Sequence, residues 1–406
     1  MKEFALIGKT LKHSYSKIIH GLMADYNYDL VELEENALED FVKNCDYKGY
    51  NVTIPYKKAV MKYLDQIDKS ALEIGAVNTV VNEKGLRVGY NTDFFGMEYA
   101  MKKAGIDLKD KVVMILGSGG TCLTATAVAK KACAKEILFV SRSGEINYQN
   151  CYYKKDVQVI INTTPVGMFP NNYNTPIDIS KFENLTGVFD VIYNPNLTRL
   201  VCDAKAQNIS ASNGLPMLVG QAKKAMELFT GQNVDDQVIE KVVSTVYKQT
   251  ANVVLVGMAG CGKSSVAKLI SEKMGRELID TDFEIVKKDG RDISTIFRES
   301  GEKYFRQLES EVLDTVGMQT GKVIATGGGV VENEKNYFPL KQNGEIFYLV
   351  RDVEKLDRSG RPLSSSQTAV STLYERRKPL YERFSDHVIA NNGDINLTVS
   401  AVLEKL

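Results

Sequence analysis

Gly257-Met258-Ala259-Gly260-Cys261-Gly262-Lys263-Ser264 follows the apolar run Asn252-Val-Val-Leu-Val256 and precedes the helix-patterned Ser265-Val-Ala-Lys-Leu-Ile270. The stretch reads G-x-x-x-x-G-K-S between a strand and a helix, which is the context a P-loop requires. Its glycines let backbone N–H groups turn inward around phosphate oxygens, and the N-terminus of the following helix adds its positive end. In such a loop Lys263 reaches the β and γ phosphates and the Ser264 hydroxyl holds Mg²⁺. Gly260, Gly262, Ser264 and Ser265 are therefore the expected nucleotide contacts.

Working outward, the same strand-then-helix alternation recurs as EFALIG before SKIIHGLMADY and KVVMILG before TATAVAKKA. It predicts parallel α/β structure. A second glycine turn, Gly117-Ser-Gly119-Gly120, closes the run KVVMIL, so two separate nucleotide-binding units are expected. The polar helical segment from Val234 to Thr250 runs almost directly into NVVLVG, which leaves room only for a very short linker.

The chain has 406 residues, which at roughly 150 residues per domain implies two or three domains. Apolar residues at 44% and charged residues at 25% exclude disordered, collagen-like and coiled-coil classes. Lys plus Arg and Asp plus Glu are both 51, so no field of one sign favours nucleic acid or an anionic membrane as partner. Arginine usage changes along the chain: three arginines precede residue 250 and ten follow it. Arginine suits fixed, forked contacts with phosphate and carboxylate, although drift in Arg/Lys usage explains the change equally well.

The six cysteines form no C-x-x-C pair and no Cys/His cluster, which argues against zinc and for free thiols in a reducing compartment. The N-terminal apolar run is too short for a signal peptide, and no stretch approaches the ~18 apolar residues of a membrane span. A cytoplasmic location is the expectation. His13, His20 and His387 have no Ser/Asp or metal-ligand partner at suitable spacing, so none is assigned a catalytic role.

Downstream of the P-loop, Asp280-Thr-Asp282 follows Leu278-Ile279, and GEKYF leads into Arg306-x-x-Glu309. VIAT leads into Gly327-Gly328-Gly329, followed by Arg358-Ser-Gly-Arg361-Pro-Leu and Arg377-Lys-Pro-Leu-Tyr. Singly, these read as solvated strand-end acids, surface arginines or turns. Together and in order they resemble shikimate kinase over most of residues 251–406. The resemblance implies that Asp282, Arg306, Gly328, Gly329 and Arg377 hold shikimate, the guanidinium groups clamping its carboxylate, and that Asp280 sits near Mg²⁺. Arg361 would lie on a mobile lid and touch the phosphates, with Arg358 beside the nucleotide. That lid looks short and is followed by Ser364, Ser365 and Ser366. Asp282 would orient, and could deprotonate, the attacking hydroxyl, with Lys263 and Arg361 completing the catalytic set for in-line phosphoryl transfer from ATP.

In the first part, the turn at Gly117, Gly119 and Gly120 begins a dinucleotide fingerprint without its third glycine at the usual spacing. The next strand ends in Ser141-Arg142-Ser143 instead of an acid. An arginine there accommodates a 2′-phosphate, which favours NADP over NAD; a solvated turn residue is the plainer account. Ahead of this unit stand Ser14-Tyr-Ser16, Asn51-Val-Thr53-Ile-Pro-Tyr-Lys57, Ala76-Val-Asn78-Thr79 and Asn91-Thr92-Asp93. Such small polar clusters at strand ends suit a polyhydroxy ligand.

As a set they resemble shikimate dehydrogenase over residues 1 to about 245, with further matches at Asn162-Thr-Thr-Pro, Asp190-Val-Ile-Tyr193-Asn-Pro and Asn213-Gly214-Leu-Pro-Met217 through Gln221. The resemblance implies that Lys57 and Asp93 are the catalytic pair. Ser14, Ser16, Thr53, Asn78, Asp93, Tyr193 and Gln221 would contact substrate, and Gly117, Gly119, Gly120, Arg142, Ser143 and Met217 the cofactor. Lys17 stands where the family has proline, and Ser143 to Val157 is too short for the expected strand-and-helix unit.

The fold implied is α/β throughout. It comprises a substrate lobe (1–100), a Rossmann-like NADP lobe with returning C-terminal helices (101–248) and a P-loop kinase domain of α/β/α type (251–406). The two resemblances name consecutive reactions, reduction of 3-dehydroshikimate with NADPH and phosphorylation of shikimate with ATP and Mg²⁺, in a bifunctional enzyme of aromatic amino-acid synthesis. An impaired or quinate-accepting dehydrogenase half is one alternative. A shikimate-sensing regulator is another, expected to lose Lys57, Asp93, Lys263 or Asp282 and to carry a helix-turn-helix or basic patch, and the sequence shows neither sign.

Overall fold

The structure is a computed structural model that describes residues 2–11, 14–357 and 367–406. Arg358, Arg361, Ser364, Ser365, Ser366 and His13 lie outside the described residues. Contacts divide the chain into two compact units, Met1–Val246 and Tyr247–Leu406.

The first unit opens with β1 (Lys2–Gly8), β2 (Tyr28–Glu32), β3 (Tyr47–Val52), β4 (Gln66–Ile67), β5 (Thr79–Glu83) and β6 (Leu86–Tyr90), in the order β2-β1-β3-β5-β6-β4. β1 is an unbroken apolar run because both of its faces are covered. Ala5 and Ile7 join one core with Leu38 and Val42, and Phe4 and Leu6 join another with Leu11 and Tyr28. Register sets the function of this sheet. Ile7 lies opposite Val52, Asn51 opposite Thr79, and Thr79 opposite Tyr90. The ends of β1, β3 and β6 and the start of antiparallel β5 thus share one sheet edge.

A second sheet holds β7 (Val112–Leu116), β8 (Glu136–Val140), β9 (Val159–Asn162), β10 (Gly187–Asp190) and β11 (Ser210–Ser212), all parallel in the order β11-β10-β9-β7-β8. Alternate residues of β7 feed two cores, Val113 and Ile115 on one face and Val112, Met114 and Leu116 on the other. This is the two-sided burial of a doubly wound sheet. Between β8 and β9 the chain forms turns and one short 3₁₀ segment, Cys151–Tyr153, in place of a strand-and-helix unit. β8 is therefore an edge strand, and its Phe139 is exposed.

Helices Asp93–Lys103 and Leu215–Thr230 cross at two glycines. A Cβ added to Gly96 would run into the Met217 carbonyl oxygen and lie 2.8 Å from the Gln221 nitrogen, and one on Gly220 would lie 3.1 Å from Gly96 Cα. The backbones touch, which brings Asp93 and Gln221 to the same end of the sheet.

The second unit contains β12 (Asn252–Val256), β13 (Leu278–Asp280), β14 (Val323–Ala325), β15 (Gly344–Val350) and β16 (His387–Ala390), all parallel in the order β13-β14-β12-β15-β16. Central β12 is buried along its whole length, among Val266, Ile270, Leu313, Ile346 and Val399. The division between units falls inside the helix Gln237–Thr250. The last turn of that helix is bonded into the second unit: the Tyr247 hydroxyl donates to Glu345 at 2.5 Å, and Arg276 donates to the Ala251 carbonyl at 2.8 Å.

The crossing gives an expected outcome for Gly96→Ala. A methyl pressed on backbone cannot be relieved by a rotamer change, and overpacking of this kind costs about 1–3 kcal/mol, which exceeds the ~1 kcal/mol that alanine gains in a helix. Calorimetry should show a lower melting temperature for Gly96→Ala and an unchanged or higher one for Gly21→Ala, whose Cβ would meet nothing within 4 Å.

Candidate functional site

In the first unit Lys57 comes from the segment after β3, and Asp93 is the first residue of a helix. Lys57 Nζ donates to Asp93 Oδ2 at 2.6 Å, with the two side chains 14% and 3% exposed. The carboxylate sits at the positive end of its helix. Asn78 Oδ1 accepts from the Thr92 backbone N–H at 2.7 Å, while its Nδ2 donates to Gln221 Oε1 at 2.7 Å and to Thr92 Oγ1 at 3.0 Å. Behind it, Asn51 donates to Thr79 Oγ1 at 2.9 Å and accepts from the Tyr28 hydroxyl at 2.7 Å. The polar edge is pre-organised because each amide has its partners in place.

Thr53 donates its backbone N–H to the Ile7 carbonyl at 2.9 Å, and Ser14 Oγ donates to Ser16 Oγ at 3.1 Å. Tyr193, from the loop after β10, brings its ring 5.1 Å from that of Tyr15. Burial pushes the Tyr193 phenol up to about 12; Tyr15 acts in the same direction and a hydrogen bond with Ser14 opposes it. The candidate residues of both lobes thus come together.

The glycine turn after β7 lies against the lysine. A Cβ on Gly120 would sit 3.5 Å from Lys57 Cβ, and one on Gly119 would meet nothing. Gly117 adopts φ +114° close to Thr163, where only glycine is unstrained. Arg142 and Ser143 are exposed in the turn after β8, whose last residue, Val140, pairs with Leu116. Open backbone beside Lys57, with a cation and hydroxyl one strand away, fits a dinucleotide. The Met217 side chain belongs to the buried cluster that contains Met97 and Ile115.

Two buried groups stand behind the site: Asp190, which the sequence reading quoted without a role, and His20, to which it assigned no catalytic role. Asp190, fully buried at the end of β10, accepts from Asn162 at 3.0 Å, from the Ile192 N–H at 3.1 Å and from Thr198 at 2.8 Å. It ties together the loops after β9 and β10. Burial pushes its carboxyl up to about 7 against the pull of those hydrogen bonds. His20, whose ring stacks on Tyr28 at 4.0 Å, is held near 3 by burial, against a hydrogen bond with Asn51. It is a neutral packing residue behind the polar edge.

In the second unit Gly260 and Gly262 take φ +83° and +95°. Lys263, 7% exposed, donates to the carbonyls of Gly257 at 2.8 Å and Met258 at 3.0 Å. Ser265 follows Ser264 in the first turn of the helix Lys263–Met274. Ser264 Oγ donates to Asp280 Oδ2 at 2.9 Å, and Asp280 Oδ1 caps the next helix by accepting from the Asp282 N–H at 3.0 Å. A hydroxyl beside a carboxylate at a phosphate-binding loop is a donor set that fits Mg²⁺.

The loop after β14 faces the P-loop. A Cβ on Gly328 would lie 2.7 Å from the Ala259 nitrogen, one on Gly329 would overlap the Arg306 guanidinium, and one on Gly327 would lie 2.9 Å from Asp282 Oδ1 and 2.7 Å from Glu309 Oε1. Arg306 donates to Glu309 Oε2 at 2.8 Å, and the buried Arg377 donates to Glu332 Oε2 at 2.8 Å. Burial raises the Glu309 carboxyl, Arg306 lowers it, and Asp282 adds to the rise. Asp282, two arginines and the glycine loop therefore converge beside the P-loop. Glu309 and Glu332 are members of this cluster that the sequence reading did not assign.

Comparisons agree with this division. A family model described as shikimate dehydrogenase substrate binding domain matches residues 6–80, and one described as shikimate kinase matches residues 259–406. A shikimate dehydrogenase (NADP(+)) from Clostridium beijerinckii is 35% identical over 263 residues, which is 60% of this chain and 97% of that protein. The crystal structure of shikimate dehydrogenase 1 from Peptoclostridium difficile covers 61% of this chain and 98% of its own at 33% identity, with a TM-score of 0.57. The Thermus thermophilus shikimate 5-dehydrogenase in complex with NADP(H) and shikimate covers 60% and 99% at 28% identity, with a TM-score of 0.55.

The buried Asp190 carries a pH dependence whose sign is fixed. Its native carboxyl titrates near 7 against 3.8 ordinarily, so the native state keeps a proton that the unfolded state has lost. Stability contributed here falls as pH rises from about 4 to about 7 and is level above, by at most ~4 kcal/mol. An asparagine side chain at this position would mimic the protonated acid, accepting at one atom and donating to Thr198 at the other. Pulse proteolysis in urea should show Asp190→Asn gaining stability over wild type at pH 8 but not at pH 4; parallel curves contradict this.

Proposed function

The chain belongs to the shikimate dehydrogenase family and carries a shikimate kinase domain, and from this premise we propose that its first unit reduces 3-dehydroshikimate to shikimate and its second phosphorylates the hydroxyl so formed. It is a bifunctional enzyme of the shikimate pathway, an oxidoreductase and a kinase that use NADP(H), ATP and Mg²⁺. The observation that carries the reading is the contact of the Gly120 turn with Lys57, itself paired to Asp93 at 2.6 Å.

When bound, the two cofactors supply a hydride and a phosphoryl group. Lys57 donates a proton to the carbonyl oxygen as that oxygen becomes negative, then regains one from water. Asp93 holds the ammonium in place and aimed. Ser14, Ser16, Thr53, Asn78, Tyr193 and Gln221 hold the substrate's hydroxyl and carboxylate groups. Gly117, Gly119, Gly120, Arg142, Ser143 and the Met217 segment form the dinucleotide side. In the second unit Arg306 and Arg377 would clamp the carboxylate over Gly328 and Gly329, and Asp282 would accept the hydroxyl proton as the hydroxyl oxygen takes the γ-phosphoryl group and ADP leaves. Lys263 would neutralise phosphate charge, while Ser264 and Asp280 would hold the metal.

Residues 1–100 act as the substrate lobe, 101–248 as the cofactor lobe and 251–406 as the kinase domain. Among the described residues no helix is long and apolar enough to cross a membrane. A cytoplasmic site of action, suggested by the thiol pattern, and diffusion of shikimate between sites complete the proposal.

Lys57→Ala should lower kcat for NADPH oxidation by roughly 10²–10⁴-fold and leave ATP-dependent phosphorylation of added shikimate intact. Lys263→Ala should do the reverse. Loss of both activities in either variant, measured by separate assays, contradicts two independent sites.

A further inference from the structure

Glu332 closes the 3₁₀ turn Val330–Glu332, directly after Gly327–Gly329. Its Oε2 accepts from an Arg377 terminal nitrogen at 2.8 Å and lies 3.5 Å from an Arg306 terminal nitrogen. One carboxylate oxygen thus stands between the two guanidinium groups that the proposed function assigns to the substrate's carboxylate. The other oxygen, Oε1, is held by Arg376, whose side chain is 62% exposed where that of Arg377 is 3% exposed. All three arginines draw the Glu332 carboxyl below its ordinary range, against burial.

The Arg377 contact is made through one terminal nitrogen, and among the described residues its buried Nε has no hydrogen-bond partner. An arginine satisfies a carboxylate best with two parallel donors, so this fork is half used. Arg306 differs, being also tied to Glu309 and Glu302. A ligand carboxylate arriving at Arg377 meets a guanidinium already bonded to a fixed negative charge. Two anions at such a separation repel unless one withdraws. Glu332 has a route of withdrawal, since its second oxygen already rests on the exposed Arg376.

We propose that Glu332 is an internal counter-ion of the arginine clamp, occupying Arg377 in the empty site and yielding to the substrate's carboxylate, so that it sets the affinity for substrate without entering the chemistry. The proposal rests on the kinase reading of Arg306 and Arg377. It assigns Glu332 as an affinity-determining residue that acts through the arginines.

The test uses the full chain and Glu332→Gln, which keeps size and hydrogen bonding while removing the charge. Phosphorylation is measured against shikimate and against its neutral methyl ester at saturating MgATP, with NADPH-dependent reduction as a check on folding. The KM for shikimate should fall on the order of tenfold, the weight of one charge-assisted hydrogen bond. The kcat should not fall, and the KM for the ester should not change. A KM for shikimate that stays or rises overturns the proposal, because Glu332 would then merely orient the arginines. A parallel fall for the ester also overturns it. Wild-type chain that does not phosphorylate shikimate removes the kinase reading and this proposal together, whereas wild-type turnover with an unaltered KM in the variant removes this proposal alone.

Discussion

A strand that ends inside a sheet leaves polar groups without ladder partners, and the molecule meets this constraint in all three sheets with hydrogen bonds at the ends that carry the candidate site residues. In the second and third sheets a threonine after one strand bonds a carbonyl at or next to the end of its neighbour. Thr163 Oγ1 donates to Leu116 O at 2.6 Å, and Thr326 Oγ1 donates to Leu255 O at 2.9 Å. The glycine turns follow Leu116 and Val256 directly, and Gly117 gives its own N–H to the Val140 carbonyl at 2.9 Å. In the first sheet the Thr53 N–H is taken up by Ile7, which anchors the segment that carries Lys57. Reactive groups are held rigidly because the backbone beneath them already has its hydrogen bonds in place.

Close approach is the second requirement. Gly96 against Gly220 brings the helix that starts with Asp93 onto the helix that carries Gln221, and Gly329 lets the Arg306 guanidinium lie on backbone. Each contact replaces side-chain volume with precise position, an exchange that is useful where a misplacement of about 1 Å can cost 10²-fold in rate. Burial then separates the roles of the acids. Asp93 is paired with a lysine at its helix start, the Asp190 carboxyl is raised to about 7 by burial against three hydrogen bonds, and Glu309 is raised by burial but drawn down by Arg306.

How much could be read from sequence depends on how local the chemistry is. Phosphate binding needs consecutive N–H groups, so Gly257 to Ser264 was legible as a string, as was the strand-helix alternation around it. Lys57 and Asp93 are 36 positions apart, and only family resemblance joined them; physically their meeting depends on the register of β3, β5 and β6. The Gly96–Gly220 crossing, the burial of Asp190 and the position of Glu332 between two arginines each join distant segments, and nothing in their neighbours announces it. The missing unit after β8 was visible as a shortage of residues, whereas its consequence, an exposed Phe139 on an edge strand, needed the sheet order. The last turn of the Gln237–Thr250 helix belongs with the second unit through Tyr247 and Glu345, a long-range bond that helical patterning could not reveal.

The central claim is that both units work on the same oxygen of one ring. Full-length protein given NADPH deuterated at the transferable position, 3-dehydroshikimate and MgATP tests it directly, with the product analysed by NMR. The account predicts a phosphate ester on the carbon that carries the deuterium. A phosphate on a different hydroxyl, or a phosphorylated product without deuterium, would contradict it.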